Sequence, residues 1–230
     1  MKINDNFDQR VALDTSAMAW VSSPVANVER KMLDRVGDEI ARATSIVRYQ
    51  PGSNFTEHVH GGGEEILVLD GVFSDEHGDY PAGTYLRNPP GTSHAPRSAS
   101  GCTLFVKLWQ FTPGDRQSVC VNTNEATWYP GLVPGLSVLP LHEADGVNTA
   151  LVHWAPNTRF NRHVHPGGEE ILVLKGVFAD ENGHYGPGSW LRSPRYSEHT
   201  PFTQEAGALI YVKTGHLGAP LVPLPQAETA

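Results

Sequence analysis

The chain has 230 residues, enough for one large or two small domains with a buried core. Its net charge of −8, from 25 acidic against 17 basic residues, argues against nucleic acid or an anionic membrane as main partner. The 23 glycines and 18 prolines, with only short apolar runs between them, point away from a helical protein and towards a turn-rich, all-β one.

In chain order, Met1–Trp20 carries Asp5, Asp8 and Asp14 and lacks the apolar stretch of a signal peptide. No segment approaches the length of a membrane span, so a cytoplasmic protein is expected. Val28–Asp34 allows a helical start, weakened by Gly37 and by β-branched neighbours. Short β-rich runs then alternate with turn signals. Ala43–Tyr49 precedes Pro51-Gly52, Ile66–Leu69 precedes Asp70-Gly71, and Thr84–Arg87 precedes Asn88-Pro89-Pro90-Gly91. This spacing predicts a β-sandwich or barrel. Pro113-Gly114-Asp115 breaks the apolar pattern and places a join between domains 1–113 and 114–230. The two cysteines, Cys102 and Cys120, form no Cys-x-x-Cys and no disulfide framework. Pro220–Pro225 reads as an extended tail.

The second half repeats the first. Residues 51–94 align with 156–199 at an offset of 105 without a gap, and 25 of the 44 positions are identical. That is duplication, and the period is too long for a solenoid unit, so each copy is a domain. The aligned block contains His58-Val-His60-Gly-Gly-Gly-Glu64 and His163-Val-His165-Pro-Gly-Gly-Glu169, each followed 30 residues after its Glu by an isolated histidine, His94 or His199.

Residues i and i+2 of a strand share a face, so His58 and His60 project together. The glycines that follow permit a sharp turn that carries Glu64 back beside them. His94 follows the Pro/Gly turn and returns to the same interior. The expected ligands of a divalent ion are therefore His58, His60, Glu64 and His94, and in the second copy His163, His165, Glu169 and His199. Imidazole and carboxylate suit Fe, Mn, Zn or Ni, one ion per domain. Spacing favours Glu64 and Glu169 over the adjacent Glu65 and Glu170, which are expected to accept second-layer hydrogen bonds. The other histidines read as surface residues, except His153, which stands at the equivalent of Arg48 on an inward strand.

These motifs resemble those of the cupins, met twice. Gly52, His58, His60, Glu64 and Gly71 match the first cupin motif, and Gly83, Pro89, Gly91 and His94 the second, with Ser98 in place of its closing Asn. In the second copy His163, His165, Glu169, Gly176, Gly188, Pro194 and His199 fit, while Asn157, Tyr196 and Thr203 depart from the pattern at turn positions. More narrowly, His-x-His-x-Gly-Gly-Glu-Glu, Asp-Glu-x-Gly-x-Tyr and Asn-Pro-Pro-Gly-x-x-His resemble the ChrR-type cupins. These include the C-terminal cupin of the anti-sigma factor ChrR and relatives of acetylacetone-cleaving dioxygenase. The resemblance implies a bicupin of two tandem jelly-roll barrels. It is compatible with a homodimer. The chain has no His-x3-Cys-x2-Cys, so a sigma factor is not an expected partner.

Two functions follow. The first is a metal-dependent, dioxygenase-like oxidoreductase acting on a small diketone, enol or oxo-acid, with the ion as Lewis acid and template. Arg87 and Arg192 could clamp a carboxylate or enolate, or else pair with an acidic residue at the barrel rim. Tyr85 and Trp190 could line the pockets or pack between barrels. Replacement of Arg48 by His153, and of Pro90-Gly91 by Arg195-Tyr196, predicts a narrower, differently charged second mouth. The alternative is a ChrR-like sensor that holds metal without turnover. A storage-type bicupin with vestigial sites is disfavoured by the eight retained ligands.

Overall fold

The computed structural model describes residues 1–225, and the only helical element among them is one 3-10 turn, Thr15–Ala17. The all-β expectation holds. The chain divides into two compact units. Met1–Asp5, Ala19–Glu125 and the stretch from Pro220 form the first, and Asn6–Met18 with Ala126–Ala219 form the second.

In the first unit the main sheet runs in the order Lys2–Ile3, Val28–Gly37, Ala41–Tyr49, Cys102–Leu108, Glu64–Asp75, Thr84–Asn88, Val119–Asn122. In the second it runs Tyr129–Pro130, Leu136–Ala144, Val147–Trp154, Phe202–Thr214, Glu169–Asp180, Ser189–Ser193, Val11–Asp14. Every pairing is antiparallel, and alternate residues of the long strands supply each core. Ile66, Val68, Phe73, Leu86, Leu104 and Val106 fill the first, and Ile171, Val173, Phe178, Leu191 and Ile210 the second. Burying Phe73 or Phe178, each 1% exposed, stabilises its unit by about 1.5–3 kcal/mol.

Two local expectations are corrected. Val28–Gly37 is a strand, not a helix start, and pairs along its length with Ala41–Tyr49. A register shift between Met32 and Asp34 makes a bulge, with the extra residue, Leu33, fully buried. Asp70-Gly71 makes no turn; Glu64–Asp75 continues through it as one strand of 12 residues. At Gly71 φ is +73° and a Cβ would stand 2.2 Å from the Gly101 carbonyl oxygen. Only glycine lets the strand bend that sharply while still paired. The compact units exchange segments, and the chain passes from the first to the second between Glu125 and Ala126. Val119–Asn122 pairs with Thr84–Arg87, which keeps this stretch in the first unit, while Val11–Asp14 pairs with Ser189–Arg192 in the second. The tail from Pro220 to Pro225 is irregular, and Val222 N–H donates to the Phe111 carbonyl at 2.9 Å.

Candidate metal centre

Two short hairpins bring the histidines together. Ser93–His94 pairs with His58–Val59, which sets His94 opposite His58. Ser197–His199 pairs with His163–His165, which sets His199 opposite His163. Left-handed glycines, Gly63 at φ +80° and Gly168 at +77°, then turn the chain into the strands that begin with Glu64 and Glu169. The imidazole centroids of His58, His60 and His94 lie 4.6–5.1 Å apart, and those of His163, His165 and His199 lie 4.6–5.0 Å apart.

Glu64 Oε2 stands 3.4 Å from both His60 Nε2 and His94 Nε2. Glu169 offers Oε1 to His165 Nε2 and Oε2 to His199 Nε2, each at 3.5 Å. In the second unit all four candidate ligands come mutually close; in the first the three histidines do, and Glu64 joins them through His60 and His94. Strand alternation settles the choice of glutamate. Glu64 shares the inner face with Ile66 and Val68, while Glu65 turns outward to Arg87 at 3.7 Å. Glu170 turns the same way and accepts from Trp190 Nε1 at 2.9 Å. Neither neighbour supports the histidines, contrary to expectation.

That support comes from Asp75 and Asp180, which the sequence reading quoted in a motif without assigning a role. Asp75 Oδ2 lies 3.3 Å from His94 Nδ1, and Asp180 Oδ2 lies 3.6 Å from His199 Nδ1. Asp75 also accepts from Tyr80 O–H and the His77 amide, and Asp180 from Tyr185 O–H and the Asn182 amide. His60 Nδ1 is 3.0 Å from Thr92 Oγ1, whose own proton goes to the Pro89 carbonyl, so Thr92 accepts from His60. His58 and His163 face the carbonyls of Thr56 and Asn161 through Nδ1. An acceptor at Nδ1 fixes the proton there and leaves the Nε2 lone pair facing the cluster.

The donors fit a cation. His60 Nε2 and His94 Nε2 are buried without a hydrogen-bond partner, which is costly unless something electropositive sits between them. His165 Nε2 and His199 Nε2 are only 3.1 Å apart, a contact of two acceptors that needs a shared proton or an ion. Burial, reinforced by His94 and His58, pushes His60 down to about 3, and burial with His199 and His163 pushes His165 down to about 3. Burial raises Glu64 and Glu169 to about 7. Imidazoles held in the neutral form, His60 and His94 in the first cluster and His165 in the second, beside a carboxylate that resists ionising in isolation would suit a divalent metal.

The first cluster opens on a cavity of about 270 Å³. Val28, Val47, Leu104 and Val106 give it apolar walls, Trp109 closes one side, and Arg30 and Arg35 bring positive charge. Trp109 holds a left-handed φ of +58°, strained for a non-glycine residue. Its ring packs so tightly on Gly61 and Gly62 that a Cβ on Gly62 would stand 2.0 Å from Trp109 Cδ2. In the second unit the equivalent left-handed residue is Gly215, packed backbone to backbone on Gly167.

None of the six residues expected to bind substrate lines this cavity. Arg48 lies on the other face of its strand, where it donates to Glu29 and covers the Trp20 ring at 4.2 Å. His153 is exposed rather than inward. Leu86 faces the barrel interior, so its neighbours Tyr85 and Arg87 face away; Tyr85 is fully buried and Arg87 pairs with Asp115 at 2.7 Å and Glu65 at 3.7 Å. Leu191 turns Trp190 and Arg192 outward in the same way, and Arg192 donates to the Asn6 carbonyl and stacks on Phe7. The acidic-partner reading of Arg87 is the one realised. Two histidines read as surface residues, His142 and His216, are buried, and His216 Nε2 lies 3.2 Å from Glu170.

Comparison with known proteins agrees with this architecture. A candidate dioxygenase of Nostoc punctiforme is similar in structure with a TM-score of 0.75 at 15% identity, over 95% of this chain and 88% of that one. A candidate glyoxylate-induced protein of Pseudomonas aeruginosa gives 0.72 at 14%, over 96% and 92%. A formate complex of Lactobacillus farciminis oxalate decarboxylase gives 0.62 at 12%, over 93% and 88%. At these identities the likeness shows the fold alone. No curated protein matches the sequence. The sequence profile described as ChrR Cupin-like domain matches twice, over residues 8–112 and 116–218. The chain belongs to the ChrR cupin-like family and carries two copies of its domain.

Proposed function

We propose that the chain is a metal-dependent oxidoreductase of dioxygenase-like chemistry that acts on a small oxygen-donor molecule: a diketone, an enol or an oxo-acid. The observation that carries this reading is the opening of the first His/Glu cluster onto a largely apolar cavity. His58, His60, Glu64 and His94 would hold one ion, and His163, His165, Glu169 and His199 a second. The bound ion supplies Lewis acidity and a template for substrate oxygens.

The chain's own residues prepare that chemistry. Asp75 and Asp180 keep the third histidine of each set turned inward, Thr92 does the same for His60, and Asn88 donates to Glu64 Oε2 at 3.3 Å. The valine and leucine walls lower the local polarity, which strengthens polar interactions at the cluster. Similarity of fold to proteins described as a dioxygenase and an oxalate decarboxylase supports metal-centred chemistry on a small molecule. The family match to a ChrR cupin-like domain supports a second reading, a sensor that holds metal without turnover.

Metal analysis combined with an oxygen electrode separates them. Bound Fe or Mn with oxygen uptake that depends on an added diketone or oxo-acid is the expected result. Tight Zn with no uptake across both substrate sets favours the sensor.

A further inference from the structure

Among the described residues, the guanidinium of Arg35 meets no carboxylate within ion-pair distance, although the residue is only 2% exposed. Its Nη2 donates only to the backbone carbonyls of Asp38 and Glu39, in the turn that follows its strand. Arg30 is bound through both Nη atoms to Glu39, at 3.0 and 3.2 Å, and its buried Nε has no partner. Both arginines line the cavity that holds His58, His60 and Glu64. Glu39 and Asp38 offset the charge of Arg35 only from beyond ion-pair distance, against a larger cost of burial, and a bidentate donor facing a cavity is suited to a carboxylate.

The strand register fixes where that carboxylate would lie. Arg35 pairs with Ala43, Ala43 with Leu108, Leu108 with Glu64, and Glu64 with Asn88, so Arg35 and Glu64 occupy one cross-strand row. They stand three strand spacings apart, about 14 Å along the curved sheet. The second barrel lacks this feature. Val28 pairs with Tyr49 as Leu136 pairs with Trp154, and the same register sets Val138 where the first barrel has Arg30, and an exposed Glu143 where it has Arg35.

We infer that the first barrel, and not the second, selects an organic acid with a carboxylate at each end, one end with a neighbouring oxo group at the His/Glu cluster and the other on Arg30 and Arg35. A short 2-oxo-dicarboxylate has this chemistry. The inference rests on the proposed metal-centred function and narrows its substrate class from diketones and enols to dianionic oxo-acids. Glu39 occupies Arg30 when the cavity holds no anion and competes with the ligand for it.

The test is calorimetric titration of zinc-loaded protein, whose ion is redox-inert, with 2-oxoglutarate and with 2-oxopentanoate, which has the same chain length and no distal carboxylate. The dicarboxylate should bind at least about tenfold more tightly. Arg35→Gln should abolish that preference while metal content, measured by elemental analysis, stays at the wild-type value. Glu39→Gln, an exposed change that frees Arg30, should tighten dicarboxylate binding several-fold. Should Arg35→Gln fail to fold, Glu39→Gln alone decides, because arginines that merely clasp the turn would give unchanged or weaker binding. Equal affinity for the two acids in fully metal-loaded wild-type protein overturns the inference and leaves the metal-centred reading standing. Failure to load metal overturns that reading instead, and the Arg35-dependent preference is then measured on the metal-free chain.

Discussion

The two barrels carry the same four candidate ligands in the same order, yet their surroundings have diverged, and the divergence shows which parts of the design are fixed. The candidate ligands, the Nδ1 acceptors of the first and third histidines and the left-handed glycine before each glutamate are shared, whereas Thr92, the acceptor for His60, is replaced by Ser197, whose buried Oγ has no hydrogen-bond partner. What differs lies around them. Asn88 donates to Glu64, where the second copy has Ser193. Arg10 reaches Asp180 at 3.5 Å, whereas Asp75 meets Tyr80, His77 and His94 and, among the described residues, no arginine or lysine within ion-pair distance. Trp109 walls the first cavity where Gly215 stands in the second. On the proposed reading, selection of a substrate falls to the first barrel, while side chains that could hold a cation are present in both.

The largest difference to measure is in metal affinity. Asp75→Asn and Asp180→Asn should each weaken their own site about 10- to 100-fold. The loss should be greater for Asp180→Asn, which also leaves Arg10 uncompensated beside a cation site. Competitive titration against a chromophoric chelator reads this directly, and wild-type affinity in either variant would show that the aspartate does not position its histidine.

Acid sensitivity should separate the barrels next. Metal must displace the proton held by Glu64 or Glu169 below about pH 7, so each site should lose about tenfold in apparent affinity per pH unit. His60 and His165, at about 3, add nothing in this range. The third histidines differ. Burial lowers His94 despite the Asp75 hydrogen bond, whereas at His199 burial is outweighed by the Asp180 hydrogen bond and the Glu169 charge, and the value is raised. The second site should therefore release more protons on metal binding and weaken more steeply between pH 7 and 6. In the metal-free chain the sign reverses. A glutamate raised from 4.5 to about 7 adds stability below pH 4.5 that is lost as pH rises through 7. Identical pH slopes for the two sites, each measured with the other disabled, would contradict this account.

A smaller effect tests the cavity wall. Gly62→Ala drives a methyl into the Trp109 ring and should cost about 1–3 kcal/mol in thermal or denaturant unfolding. The cost should largely vanish in a Trp109→Gly background. An unchanged penalty there would place the strain elsewhere.

How much of this was legible in the sequence follows from parity and repetition. The ligands were readable because the duplication isolates them and because i, i+2 spacing holds within His58–His60 without knowledge of any partner strand. Arg87 and Arg192 were misplaced because their face depends on register: Arg87 pairs with Glu65, the outward residue, and not with Glu64. Arg30 and Arg35 were invisible for a sharper reason. Their spacing of five puts them on opposite faces of a regular strand, and only the bulge between Met32 and Asp34 returns Arg35 to the inner side. Asp75 and Asp180 could have been found, since both lie in the aligned block and both precede a Glu by one residue.

The most direct measurement is the metal content of purified, reconstituted protein and of three variants, by elemental analysis. About two equivalents per wild-type chain, one each for His60→Ala and His165→Ala, and none for the double variant are the values this arrangement of ligands requires. A folded double variant that still carries two equivalents would contradict it.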